Sequence, residues 1–137
     1  MRVSQKLEYA CRAAICLAKH YDGGTVMKLE DIAQREDISS SFLVQILNEL
    51  KRAGIVDSRR GKAGGYALNH PPAAITLKDI VEAIEPSLLT TPRDTTGESG
   101  VAVATIWDGI SRCVLDRLET TSLETIASNA NAPMYFI

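Results

Sequence analysis

Arg60-Gly61-Lys62-Ala63-Gly64-Gly65-Tyr66 is the stretch on which the fold of this chain turns. Two cations sit in a glycine-rich tip. The run Ile55-Val56-Asp57-Ser58-Arg59 precedes it and the alternating run Tyr66-Ala67-Leu68-Asn69 follows, so the tip joins two short strands. Glycine lets a backbone approach another surface closely and take positive φ. The cations can neutralise phosphate or enter a narrow minor groove. Taken alone, such a turn is more often an ordinary charged hairpin, and the residues before it decide the matter.

Those residues read as three helices. Leu43, Ile46, Leu47 and Leu50 fall at i, i+3, i+4 and i+7, giving one buried face on a helix from Ser39 or Ser40 to about Ala53. The serines are good N-caps, and Gly54 stops the helix. A short helix at about Leu29–Arg35 comes before it, joined through Glu36-Asp37-Ile38. A first helix runs from about Ser4 to Tyr21 on the stripe Leu7, Ala10, Ala14, Leu17 and Ala18, and Asp22-Gly23-Gly24 ends it. Helix, tight turn and second helix of these lengths match a helix-turn-helix. With the hairpin behind it, the pattern is that of a winged helix-turn-helix.

Beyond the wing, His70-Pro71-Pro72 breaks the pattern. Thr76 and Asp79 form a capping-box pair that opens a helix with Leu77, Ile80, Val81 and Ile84 on one face, and Pro86 ends it. Residues 86–100 are rich in Pro, Thr, Gly and Ser and read as a loop. A long helix follows at about Val101–Glu119, with Val103, Trp107, Ile110, Val114 and Leu118 in steps of four and three. That much apolar surface beyond a small winged domain calls for a partner, and the same helix of a second chain supplies one. Thr121-Ser122-Leu123-Glu124 reads as a second capping box before a short helix to about Ser128, and the apolar ending Met134-Tyr135-Phe136-Ile137 is expected to dock. The fold class is therefore mainly α with a small β-wing. Residues 1–85 form the winged DNA-binding domain, 86–100 a loop, and 101–137 a dimerisation helix with a C-terminal segment.

The net charge of −2 over 137 residues looks wrong for a DNA-binding protein until the chain is divided. Residues 1–62 hold 11 Lys/Arg against 8 Asp/Glu, and residues 63–137 hold 4 against 9. In 51–62, Lys51, Arg52, Arg59, Arg60 and Lys62 oppose only Asp57, so the basic footprint is local. No apolar run is long enough to cross a bilayer, and nothing at the start reads as a signal peptide, so a cytoplasmic location is expected. The three cysteines, Cys11, Cys16 and Cys113, form no CxxC pair, which argues against both a disulfide framework and a zinc site. His20 and His70 have no catalytic companions: no HExxH, GxSxG or phosphate loop is present, and an enzyme is not expected.

The chain resembles the Rrf-two family of bacterial winged-helix regulators, which includes IscR, NsrR and CymR. The resemblance rests on Ser4-Gln5-Lys6-Leu7-Glu8-Tyr9-Ala10, on Ile32-Ala33 with Ile38-Ser39-Ser40-Ser41-Phe42-Leu43, on Leu50-Lys51-Arg52-Ala53-Gly54-Ile55-Val56, and on the wing itself. It implies a homodimer on a twofold-symmetric operator in double-stranded DNA, usually as a repressor. On the matching positions Ser39, Ser40, Ser41, Phe42 and Gln45 would face DNA from the recognition helix. Lys51 would meet a phosphate and Arg60 the minor groove, with Arg59, Lys62, Gly64, Gly65 and Tyr66 completing the wing. The position after Leu43, an acidic base-reader in IscR-like members, is Val44 here. Valine cannot accept a hydrogen bond from cytosine, so the operator sequence does not carry over.

Cluster-binding members carry three cysteines in the loop before the long helix. The loop of this chain, 86–100, has none. Cluster iron needs thiolates, or a mixture with His or carboxylate, and Glu8 alone cannot hold one. No cofactor and no metal are expected. The regulatory signal is then a small metabolite or a partner protein docked near the loop and long helix. Two alternatives stand beside this reading. One is a redox switch at Cys11 or Cys16, which lie on different faces of the first helix and cannot easily pair with each other. The other is a winged-helix interaction module that no longer binds DNA.

Overall fold

The computed structural model describes residues 1–90 and 94–130, and the apolar ending Met134–Ile137 lies outside them. Helix α1 (Gln5–Lys19) opens on Ser4, whose Oγ accepts from the Leu7 amide at 3.1 Å. It buries Leu7, Ala10, Ala13, Ala14, Cys16, Leu17 and Ala18. Small side chains on that face let neighbouring helices come close, which suits the central helix of a small core. The helix stops at Lys19 rather than Tyr21. His20 turns back on it, its Nδ1 lying 2.9 Å from the Cys16 carbonyl.

Helices α2 (Leu29–Glu36) and α3 (Ser40–Arg52) form the helix-turn-helix. Asp37 makes the sharp turn between them in the left-handed region at φ 54°. Ser39 caps α3, and Leu43, Ile46, Leu47 and Leu50 are each fully buried. Each such burial is worth about 1.5–3 kcal/mol against exposure, so this face anchors α3 firmly. The amides of Gly54 and Ile55 close the helix by donating to the carbonyls of Lys51 and Leu50, both at 3.0 Å. Ile55 is thereby spent on the helix end, and strand β1 (Val56–Arg59) begins one residue later than the apolar run predicts.

Strand β2 (Gly65–Leu68) pairs antiparallel with β1 in the register Val56↔Leu68, Ser58↔Tyr66 and Arg59↔Gly65. A third element joins them. Met27, just before α2, exchanges two backbone hydrogen bonds with Tyr66, both at 2.8 Å. The wing is thus sewn to the helix-turn-helix along its inner edge.

Helix α4 (Leu77–Ile84) starts on the expected capping box. Thr76 Oγ1 accepts from the Asp79 amide at 3.3 Å, and Asp79 Oδ2 accepts from the Thr76 amide at 2.9 Å. The segment expected to be loop from residue 86 begins instead with a 3₁₀ turn at Pro86–Leu89, because Leu88 and Leu89 find the core. Helix α5 (Gly100–Glu119) and helix α6 (Leu123–Asn129) complete the chain. Ser122, not Thr121, caps α6 by accepting from the Thr125 amide at 3.1 Å. The Thr121 hydroxyl donates back to the Arg117 carbonyl at 2.6 Å, and Glu124 closes no box.

The turn between α5 and α6 is pinned to the segment leaving the wing. The Leu77 amide donates to the Thr121 carbonyl, and the Leu123 amide to the Ile75 carbonyl, both at 2.9 Å. Lys78 bridges Glu119 of α5 at 3.1 Å and Glu82 of its own helix at 3.3 Å. Leu123 and Ala127 then enter the same core as α1, so one hydrophobic core runs from the first helix to the last.

Candidate nucleic-acid interface

Helix α3 hides one face and exposes the other. Ser41, Gln45, Asn48 and Arg52 are exposed and lie at i, i+4, i+7 and i+11, so they form a single polar stripe opposite the leucines. Asn48 and Arg52 extend the candidate set beyond Ser41 and Gln45. The i, i+4, i+7, i+11 polar period was the signal for them. Ser39 and Ser40 are exposed at the start of the helix, and the Ser39 hydroxyl oxygen accepts from the Phe42 amide at 3.4 Å. Val44 is half-buried beside this stripe. Amides, a guanidinium and hydroxyls on one helical ridge are the groups that reach base edges and phosphates.

Phe42 is half-buried, and its ring meets Tyr9 of α1 edge-to-face, with centroids 5.6 Å apart and planes at 70°. Tyr9 is itself held from two sides. Its hydroxyl accepts from Gln5 Nε2 at 3.0 Å, and the Arg12 guanidinium lies 5.2 Å from its ring centroid.

The wing residues divide by task. Arg60 and Lys62 are exposed at the tip and make no ion pair among the described residues. Lys51, at the end of α3, donates to Ser58 Oγ at 2.6 Å and ties the recognition helix to β1. Arg59 reaches the Gly24 carbonyl at 3.4 Å, which braces the wing against the loop after α1. The glycines serve the wing's own packing. A Cβ at Gly64 would lie 2.3 Å from the Arg59 carbonyl oxygen, and one at Gly65 would lie 2.2 Å from that of Met27. Tyr66 is half-buried in the sheet. Between the tip and the start of α2 an open groove of about 440 Å³ is bordered by Lys28, Arg60, Lys62 and Glu30. Its cations outnumber its one carboxylate, as a phosphate backbone requires.

The long helix carries its apolar residues on two faces. Leu118 is half-buried and packs against its own core, and Val114 is half-buried. Val103, Trp107 and Ile110 remain 52%, 55% and 49% exposed, and Ile106, next to them, is 64% exposed. A contiguous apolar face of this kind marks an interaction surface.

The thiols are scattered. Cys11 is half-buried and Cys16 buried on α1, whereas Cys113 is exposed on α5. Burial, reinforced by the Glu8 charge, pushes the Cys11 thiol up to about 11. Burial and the neighbouring Glu36 do the same to Cys16, also to about 11. Both shifts disfavour the thiolate, which is the reactive form of cysteine. Arg12, next to Cys11 in sequence, points its charge at Tyr9 and at Glu8, 3.2 Å away. Among the described residues no group of three or more His, Cys, Asp or Glu could hold a metal ion. An iron–sulfur cluster needs several ligands brought together, thiolates or a mixture with His or carboxylate, and the described residues of one protomer bring no three together. No described helix is long and apolar enough to cross a membrane.

Comparison with known proteins agrees with this geometry. The model of the Rrf2 family, described as an iron-dependent transcriptional regulator, matches residues 3–129. The regulator CymR of Bacillus subtilis is 36% identical over 129 residues, covering 93% of this chain and 91% of that protein. The regulator IscR of Cereibacter sphaeroides is 32% identical over 141 residues, covering 97% and 91%. Among solved structures, that of CymR, the global cysteine regulator of B. subtilis, superposes with a TM-score of 0.83 at 34% identity, covering 93% of this chain and 97% of that one. That of T. potens IscR superposes with a TM-score of 0.78 at 29% identity, covering 98% and 95%. The chain belongs to the Rrf2 family of winged-helix, DNA-binding transcriptional regulators.

Proposed function

We propose that the protein is a homodimeric, cytoplasmic repressor that binds a twofold-symmetric operator without an iron–sulfur cluster, under the control of a small metabolite or a partner protein. The observation that carries the DNA-binding part is the exposed ridge Ser41, Gln45, Asn48 and Arg52 beside a tip bearing exposed Arg60 and Lys62. Each α3 would enter a major groove, where Gln45 can pair with adenine and Phe42 can touch a thymine methyl. Each wing would place Arg60 in the neighbouring minor groove, whose narrow A·T tracts attract a guanidinium. The second subunit would cover the exposed face of α5, joining two half-sites through one symmetric interface.

The cluster-free part rests on the chemistry of the donors. Loop 86–100 has no cysteine, and the three thiols lie on two different helices. The raised thiols of α1 also weigh against a redox switch at Cys11 or Cys16. The group that would sense a signal is then neither Cys11 nor Cys16.

Two measurements test this reading. Arg60→Ala is expected to weaken operator binding by about 1–3 kcal/mol, or roughly 5- to 150-fold, in an anisotropy titration. Unchanged affinity would remove Arg60 from the interface. Protein purified with and without oxygen is expected to be colourless in both cases. A visible charge-transfer band in the anaerobic sample would show that thiolates do assemble a cluster.

A further inference from the structure

Phe42 stands at the first turn of the recognition helix, half-buried against the hydrophobic core. The neighbours Ser41 and Gln45 are exposed and polar. From α1 the ring also meets Tyr9 edge-to-face, with centroids 5.6 Å apart. Tyr9 is fixed in turn by three residues of the α1 surface. Gln5 donates to its hydroxyl at 3.0 Å, Arg12 sits over its ring at 5.2 Å, and Glu8 holds Arg12 at 3.2 Å. Arg12 also reaches the Glu36 carbonyl at the end of α2, at 3.5 Å. This chain of contacts starts in solvent, at exposed Gln5, Glu8 and Arg12, and ends on a base-reading side chain.

We propose that Tyr9 is a positioning residue for sequence readout: it holds the Phe42 ring where it meets a thymine methyl, so discrimination at one base step of each half-site depends on a side chain of α1. The proposal rests on the DNA-binding reading above. Its physical basis is that an apolar contact with one methyl group discriminates only if the ring is immobile. Otherwise the ring swings away, and the contact is lost equally for thymine and uracil. Edge-to-face aromatic pairs supply that orientation.

The test uses the full-length protein and an operator duplex selected from random DNA. Each thymine is replaced singly by deoxyuridine, and affinity is read by anisotropy. With the wild-type protein, one position per half-site should lose about fourfold, the worth of burying one methyl group. Tyr9→Phe keeps the ring and should keep that ratio. Tyr9→Leu should bring the ratio at that position to about one, leaving other positions unchanged, and Phe42→Leu should do the same. If Tyr9→Leu does not fold by circular dichroism, Tyr9→Met fills similar volume without a rigid ring and is read identically. A wild-type ratio retained in the folded Leu or Met variant overturns the proposal, as does a wild-type protein with no uracil-sensitive position. A wild-type protein that selects no duplex at all refutes the DNA-binding reading instead.

Discussion

Trp107→Asp is expected to turn the proposed dimer into monomers, with a loss of about 4–6 kcal/mol in association, on the order of a thousandfold or more in Kd. The size follows from symmetry. A twofold interface contains the residue twice, so one substitution removes two aromatic anchors and buries two unpaired carboxylates. The fold itself should survive. Trp107 is 55% exposed in the protomer, and Ile106 and Ile110 beside it are 64% and 49% exposed, so the own core depends little on this face. α5 stays attached through Leu118, the Lys78–Glu119 bridge and the Leu77–Thr121 hydrogen bond. Sedimentation equilibrium reads the association, and a circular dichroism melt of the variant provides the control. A variant that remains dimeric at unchanged affinity would place the interface on another surface. Operator binding should fall with the dimer, because two linked half-sites gain from effective concentration what a monomer cannot.

Gly65→Ala is the second large effect, expected to cost about 2–4 kcal/mol of stability, within the range for strain forced on a buried backbone contact. The added Cβ would lie 2.2 Å from the Met27 carbonyl oxygen and 2.7 Å from its carbon. Both are backbone atoms, so no side chain can rotate aside. Relief requires moving Met27 away from Tyr66, which breaks the two 2.8 Å hydrogen bonds that sew the wing to the helix-turn-helix. Hydrogen exchange should show the Met27 and Tyr66 amides losing protection while those of α3 keep theirs. Operator affinity should drop at least as far as for Arg60→Ala, since the whole tip is displaced. Full protection of both amides in the variant would show that the close approach is not what requires glycine here. The wing glycines therefore serve the wing's own construction, a narrower role than free approach to a DNA groove.

Local signals carried much of this fold. The Leu43–Leu50 spacing marks α3, the Thr76–Asp79 pair marks the start of α4, and the glycine tip marks the hairpin. Helical period, capping chemistry and turn composition depend on residues a few positions apart, and such relations survive in a linear string. Errors fell where local and distant demands compete. Ile55 is as good a strand residue as Val56, but the end of α3 claims its amide. Thr121 could cap α6 as well as Ser122 can, but the pinned turn leaves Ser122 in position. Leu88 and Leu89 look like loop residues until a core surface is available to them.

The recognition helix, the basic tip and the cysteine-free loop 86–100 were settled by the sequence, because each is a matter of residue type at short spacing. Tertiary structure alone decided what those residues do for one another. It paired Met27 with Tyr66, set Tyr9 against Phe42, turned Arg59 into a brace for the wing and left Arg60 and Lys62 exposed at its tip. The three pairings span 33 to 39 residues along the chain, and packing, which no local period encodes, brings their members within hydrogen-bonding or ring-contact distance.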